Sequence, residues 1–191
     1  MNRPAKLLIA ALFLSLIFVA APAKATTPAE QIEETVRAVL AVVKNPSNTE
    51  EQRKKLLRET LMPRFDWFEM ARRTLGKNWS AAAGREQEFV GTFAEFLGKA
   101  YVGNITSYKD EKIVLVQESI ERNLAQVKTR IEPRHGEPTS VTYRMHRIQE
   151  EWKIYDVVIE DISLVGNYRA QFNRVLAKGS FDDLLRQMKE K

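Results

Sequence analysis

Residues 125–159 read AQVKTRIEPRHGEPTSVTYRMHRIQEEWKIYDVVI, and the fold class turns on them. Ala125, Val127, Thr129 and Ile131 alternate with Gln126, Lys128 and Arg130, and Val141, Tyr143 and Met145 alternate with Thr142, Arg144 and His146. An apolar period of two marks a strand with one buried face. His135-Gly136-Glu137-Pro138 between the two runs is a turn. Trp152 to Ile159 is a further strand, and Ile113 to Val116 upstream is a short apolar run. Four strands at turn-separated intervals predict an antiparallel sheet.

Residue chemistry also suggests a register. If Gln149, Glu150 and Glu151 form a three-residue loop, Ile148 faces Trp152, Met145 faces Tyr155, Tyr143 faces Val157 and Arg144 faces Asp156. Directly opposed residues share a face. This register gathers Val141, Tyr143, Met145, Tyr155, Val157 and Ile159 on one apolar face and pairs Arg144 with Asp156 on the other. A slip of one residue would undo that sorting.

On both sides of the sheet the period becomes helical. Thr27-Pro28-Ala29-Glu30 is a capping box with proline at the first helical position, and Ile32, Val36, Val39, Leu40 and Val43 follow at helical spacing. Asn45-Pro46-Ser47-Asn48 breaks the helix. Thr49 with Gln52 opens the next, whose buried stripe is Leu56, Leu57 and Leu61 and which Pro63 ends. Asp66 with Glu69 starts a short helix closed by Gly76. A longer helix from about Ser80 carries Phe89, Phe93, Phe96, Leu97, Ala100 and Tyr101, with Gly103-Asn104 at its close. Beyond the strands, Ser163 opens a helix with Val165, Tyr168, Phe172 and Val175, and Ser180 with Asp183 caps a last one. Helices, then strands, then helices predict an α+β domain of helices packed on a curved four-stranded antiparallel sheet; the order of elements does not distinguish a packed interface between the layers from an apolar cavity.

The first residues belong to a different pattern. Arg3 and Lys6 precede the apolar run Leu7 to Ala21, and Ala23-Lys24-Ala25 is a small-residue exit. Together they predict a signal peptide over residues 1–25 and an exported domain over 26–191. The run is short for a membrane span, and a chain without cysteine cannot carry a lipoprotein anchor. Loss of Arg3, Lys6 and Lys24 lowers the net charge from +5 to +2. The basicity is therefore largely a targeting feature, and no nucleic-acid partner is expected.

Catalytic motifs are missing. No phosphate-binding glycine loop, nucleophile elbow or zinc-protease helix occurs, and His135 and His146 are the only histidines. No metal site, cofactor or catalytic residue is predicted. One enzyme alternative is a small cone-shaped fold acting on an apolar substrate through a carboxylate and a tyrosine, for which Asp156, Tyr143 and Tyr155 supply the residue types. The aromatic side chains predicted to face inward could build either a filled core or the wall of a cavity.

The segments Phe65-Asp66-Trp67-Phe68-Glu69-Met70-Ala71-Arg72 and Leu75-Gly76-Lys77-Asn78-Trp79 resemble the MlaC family of periplasmic phospholipid-binding proteins. The likeness continues through Glu88-Phe89, Phe93 and Tyr101, and through Tyr143-Arg144 and Trp152-Lys153-Ile154-Tyr155-Asp156-Val157. It is strongest at Ser163-Leu164-Val165 and Asn167-Tyr168-Arg169-Ala170-Gln171-Phe172. Glu151 and Asp161 stand where the family usually has glycine. The resemblance implies a non-enzymatic periplasmic carrier that shuttles phospholipid between outer and inner membranes, within an ABC transport system that maintains outer-membrane lipid asymmetry. The implied partners are an inner-membrane ABC transporter with an MCE-domain ring and an outer-membrane lipoprotein complex. Hopanoid or another hydrophobic ligand is the alternative cargo.

Two acyl chains of roughly 30 methylenes would cost on the order of 20 kcal/mol to strand in water, so a carrier must enclose them. A cleft near the upper end of roughly 300–1,000 Å³ is expected. The expected lipid-contacting wall is Phe93, Phe96, Leu97, Tyr101, Tyr143, Tyr155, Val157, Tyr168 and Phe172, with Arg169 as the candidate for a headgroup phosphate.

Overall fold

The computed structural model describes residues 26–105 and 111–190; the expected signal peptide lies outside them. Its order is α1 (Pro28–Lys44), α2 (Glu50–Leu61), α3 (Trp67–Leu75), α4 (Glu86–Ile105), β1 (Lys112–Glu121), β2 (Leu124–Glu132), β3 (Thr139–Ile148), β4 (Glu151–Ile159), β5 (Ile162–Ser163), α5 (Leu164–Leu176) and α6 (Phe181–Glu190). The strands form one antiparallel sheet in sequential order. The α+β architecture is as expected, with the two-residue β5 added to the four predicted strands.

The helix starts are built by the predicted caps. Thr27 and Thr49 both complete capping boxes, Asp66 accepts the Glu69 amide, and Ser163 accepts the Gly166 amide. Each cap satisfies an amide that the helix itself leaves unpaired. The long helix differs from expectation. Gly76–Ala82 winds as a 3-10 turn, Gly84 takes a left-handed φ of 74°, and α4 starts only at Glu86. It then runs through Gly103 to Ile105 instead of closing there. In α2, Leu57 is fully buried but Leu56 is exposed.

The central hairpin keeps half of the predicted register. Tyr143 pairs with Val157 and Arg144 with Asp156, but Met145 then pairs with Ile154, not Tyr155, and Ile148 with Glu151, not Trp152. Tyr155 is the extra residue of a β-bulge. The bulge absorbs one position, so the turn is the two residues Gln149 and Glu150, with Gln149 at φ 54°. At the β4–β5 turn Glu160 and Asp161 both take positive φ, 45° and 63°. A tight hairpin turn demands that conformation and glycine adopts it most easily, which accounts for the glycine usual in the family where Asp161 stands.

Burial divides into two apolar clusters. One lies on the sheet and comprises Ala29 and Ile32 of α1 with Val127, Val141, Met145, Trp152, Ile154 and Val157. The other lies among the helices and includes Met70, Leu75, Phe89, Phe93, Phe96, Tyr168, Phe172 and Leu184. Phe65 packs against both. It is held there by a parallel bridge to Ile154 and by the Asp66 amide, which donates to the Ile154 carbonyl at 2.8 Å. Among the described residues no helix is long and apolar enough to cross a membrane.

Candidate functional site

An apolar groove opens between the two clusters. Helix α1 contributes Ile32, Val36, Val39 and Leu40, the end of α2 and the turn after it contribute Leu61, Met62 and Phe65, and α4 contributes Leu97, Tyr101, Val102 and Ile105. The sheet closes the floor with Ile113, Ile131, Val141, Tyr143, Ile154, Val157 and Ile159. The groove encloses about 260 Å³, and about 1410 Å³ when the space open to solvent at its mouth is included. The enclosed part falls below the roughly 300–1,000 Å³ of typical ligand sites and below the expectation for two chains. A two-chain lipid would therefore occupy the mouth as well as the interior.

The roof over this groove is helix α1, tied to the sheet at its start and held at its end by the buried Val43 and by Asn48 Nδ2, which donates to the Val42 carbonyl at 3.1 Å. At the start of α1 the Ala29 amide donates to a Glu118 carboxylate oxygen at 2.7 Å, and the buried Gln31 side chain donates to the Trp152 carbonyl at 2.6 Å. Ile32 is sealed at 3% exposure, whereas Val36, Val39 and Leu40 are only half-buried because the groove lies beneath them. An amphipathic helix normally covers its apolar stripe with partner side chains, and here part of that stripe faces open volume.

Four of the expected wall residues line the groove: Leu97, Tyr101, Tyr143 and Val157. Phe93, Phe96, Tyr168 and Phe172 do not. They interlock in the helical cluster, with Phe93 6.0 Å from Phe172 and 6.2 Å from Tyr168 between ring centres, both edge-on. Edge-on pairs at these distances are favourable ring contacts that fill volume. Burial also pushes the Tyr168 phenol well above the usual tyrosine range, and the neighbouring Tyr101 hydroxyl reinforces the shift. The aliphatic residues of α1 and the sheet's Ile113, Ile131, Val141, Ile154 and Ile159 were missed because aliphatic periodicity reads as ordinary core. The half-used stripe of α1 becomes visible only in three dimensions.

Tyr155 and Arg169 lie elsewhere, in a polar cleft of about 350 Å³ that also includes Arg73, Arg144, Asp156 and Ser163. Neighbouring strand residues point to opposite faces, so Arg144 and Asp156 face this cleft while Tyr143 and Val157 face the groove. Tyr155 joins Asp156 on the cleft side because of the bulge. The Arg73 guanidinium sits 4.4 Å from its ring centre, and Arg169 Nε donates to the Arg73 carbonyl at 2.7 Å. Asp156 accepts from Arg144 Nη1 at 3.1 Å, Ser163 Oγ at 2.7 Å and the Val165 amide at 3.1 Å. Three donors commit this carboxylate to joining β3, β4 and the start of α5. Asp156 and Tyr143 therefore face opposite sides of the sheet; Tyr155 shares the cleft with Asp156, but that cleft is polar and lined by Arg73, Arg144 and Arg169, not the apolar cavity that a cone-fold site uses. Among the described residues, no group of three or more histidine or acidic side chains could hold a metal ion.

Comparison with known proteins agrees with this architecture. A family model described as MlaC protein matches residues 33–190. The intermembrane phospholipid transport system binding protein MlaC of Haemophilus influenzae is 24% identical over 141 residues, spanning 71% of this chain and 66% of that protein, just under two thirds of its length. A phospholipid-binding protein from Ralstonia solanacearum, solved in complex with a phospholipid, superposes with a TM-score of 0.76 at 23% identity, over 85% of this chain and 94% of that one. At that identity the likeness is one of fold.

Proposed function

The chain belongs to the MlaC family, and from that premise we propose that it is a periplasmic phospholipid carrier whose acyl chains lie in the groove between α1, α4 and the sheet. The observation that carries this is the groove itself, with its aliphatic and aromatic walls and its open mouth. Each buried methylene contributes about 0.8 kcal/mol, so walls of this composition hold hydrocarbon and leave a headgroup in water. Residues 1–25 act as the export signal and Thr26 begins the mature protein. Its partners are an inner-membrane ABC transporter with an MCE-domain ring and an outer-membrane lipoprotein complex, between which it shuttles lipid.

The test is transfer of a labelled phospholipid between two separable vesicle populations by the purified mature protein. Transfer is expected to rise with protein concentration and to fall when Val39→Trp fills the groove. Transfer no faster than in protein-free controls would refute the carrier function.

A further inference from the structure

The groove wall is apolar with a few polar side chains, and nearly all of these are already engaged. Thr35 Oγ1 donates to the Gln31 carbonyl at 2.8 Å, Trp67 Nε1 donates to the Met62 carbonyl at 2.9 Å, and the Tyr101 and Tyr168 hydroxyls lie 3.5 Å apart. Arg64 faces Glu34 at 3.8 Å, and Glu111 and Tyr143 have interactions of their own. Arg58 is the exception: its side chain meets no hydrogen-bond or ion-pair partner among the described residues. It is exposed, in the last turn of α2, and its guanidinium lies along α4 at Gly98, where a Cβ would stand 3.6 Å from a terminal nitrogen and 3.8 Å from Cζ. A cation suits a helix C-terminus, which accounts for the charge but not for its extension over the groove wall.

Resting on the carrier function proposed above, we infer that Arg58 is the headgroup contact of this groove, donating to the phosphate of a phospholipid whose chains lie inside. Guanidinium presents paired donors that match phosphate oxygens. An apolar groove with an uncommitted guanidinium on its wall is complementary to an amphiphile with one anionic end. Arg64, tied to Glu34, is a weaker second cation on the same wall. Arg169, the headgroup candidate from the sequence, lines the polar cleft and not this groove.

The experiment compares uptake of dioleoyl phosphatidate and of dioleoyl glycerol by the delipidated mature protein, with bound lipid quantified after gel filtration. The two probes share their chains and differ in the phosphate. Wild type is expected to prefer phosphatidate by about fivefold or more. In Arg58→Gln the ratio of phosphatidate to diacylglycerol uptake should fall most of the way to one. Lys178→Gln, an exposed cation in the turn after α5, should behave as wild type. Circular dichroism checks that each variant is folded. Excess inorganic phosphate should displace little phosphatidate, because the chains hold the lipid; inorganic phosphate that binds wild type but not Arg58→Gln, with no preference for phosphatidate over diacylglycerol, would assign the site to free phosphate and overturn the headgroup contact. An equal preference in Arg58→Gln and wild type would overturn the inference while leaving the carrier function standing. Uptake of neither lipid by wild type would overturn both.

Discussion

Asp156 is 4% exposed at its side chain while its partner Arg144 is 42% exposed, so the two ends of this ion pair are not equivalent. Removing the carboxylate leaves the Ser163 hydroxyl and the buried Val165 amide without their acceptor. Asp156→Ala should therefore cost about 3–5 kcal/mol in urea unfolding, and Arg144→Ala only about 1 kcal/mol, because Asp156 keeps two donors. Equal losses would contradict the assignment of Asp156 as the junction of β3, β4 and α5. Glu69 supplies a pH-dependent contribution of the same local kind. Its carboxyl is held below the ordinary 4.5, first by a hydrogen bond from Arg72 and then by Arg73, against an opposing effect of burial. A lowered folded value favours the ionised, folded form. That stability is present above about pH 4.5 and is lost as pH falls through the lowered value. Glu69→Gln should flatten the acid side of the stability–pH profile, and an unchanged acid limb would exclude the effect. At this scale the Arg144–Asp156 pairing was legible in the sequence because opposite charges on alternating strands select a register. The position of Tyr155 was not, because no glycine or proline marks the bulge that turns it away from the groove.

Helix α1 is fixed at its start and lies over open volume along its middle, and the two parts respond differently to substitution. Gln31→Ala should cost about 1–2 kcal/mol, since the Trp152 carbonyl loses a buried donor. The groove-facing positions should tolerate bulk: Val39→Trp is expected to leave unfolding within about 1 kcal/mol of wild type, because it enters open volume where a packed core would resist overpacking. In α4 the contrast reverses. Phe93 is fully buried among Phe89, Tyr168 and Phe172, and Phe93→Ala should cost about 3–5 kcal/mol through the cavity it leaves, with lipid uptake by the remaining folded protein unchanged. Destabilisation by Val39→Trp as large as that by Phe93→Ala would mean that the groove is packed core. Helix starts were legible because capping chemistry is local. The start of α4 was misplaced because Ser80 resembles a cap, whereas the 3-10 turn through Ala82 depends on how the chain leaves α3. The sequence also could not show which aromatic stripe would fill space and which aliphatic stripe would border it, since both repeat at helical spacing.

The molecule as a whole has two separately closed clusters joined at Phe65, and its groove is the unfilled seam between them. Fold class, the antiparallel pairing of β3 with β4 and family were legible because alternation, turn chemistry and the Asn167 to Phe172 segment are all linear features. The enclosed volume was not, because it depends on the spacing between α1 and the sheet. A ligand that binds only the folded state stabilises it by mass action, so phospholipid should raise the melting temperature of wild type and raise that of Val39→Trp much less. The most direct test of the carrier function is native mass spectrometry of the mature protein purified from the periplasm without detergent, followed by solvent extraction and lipid identification. The account predicts one phospholipid per chain, depleted in Val39→Trp and retained in Lys178→Gln. A chain that emerges empty, and whose melting temperature does not respond to added phospholipid, would contradict it.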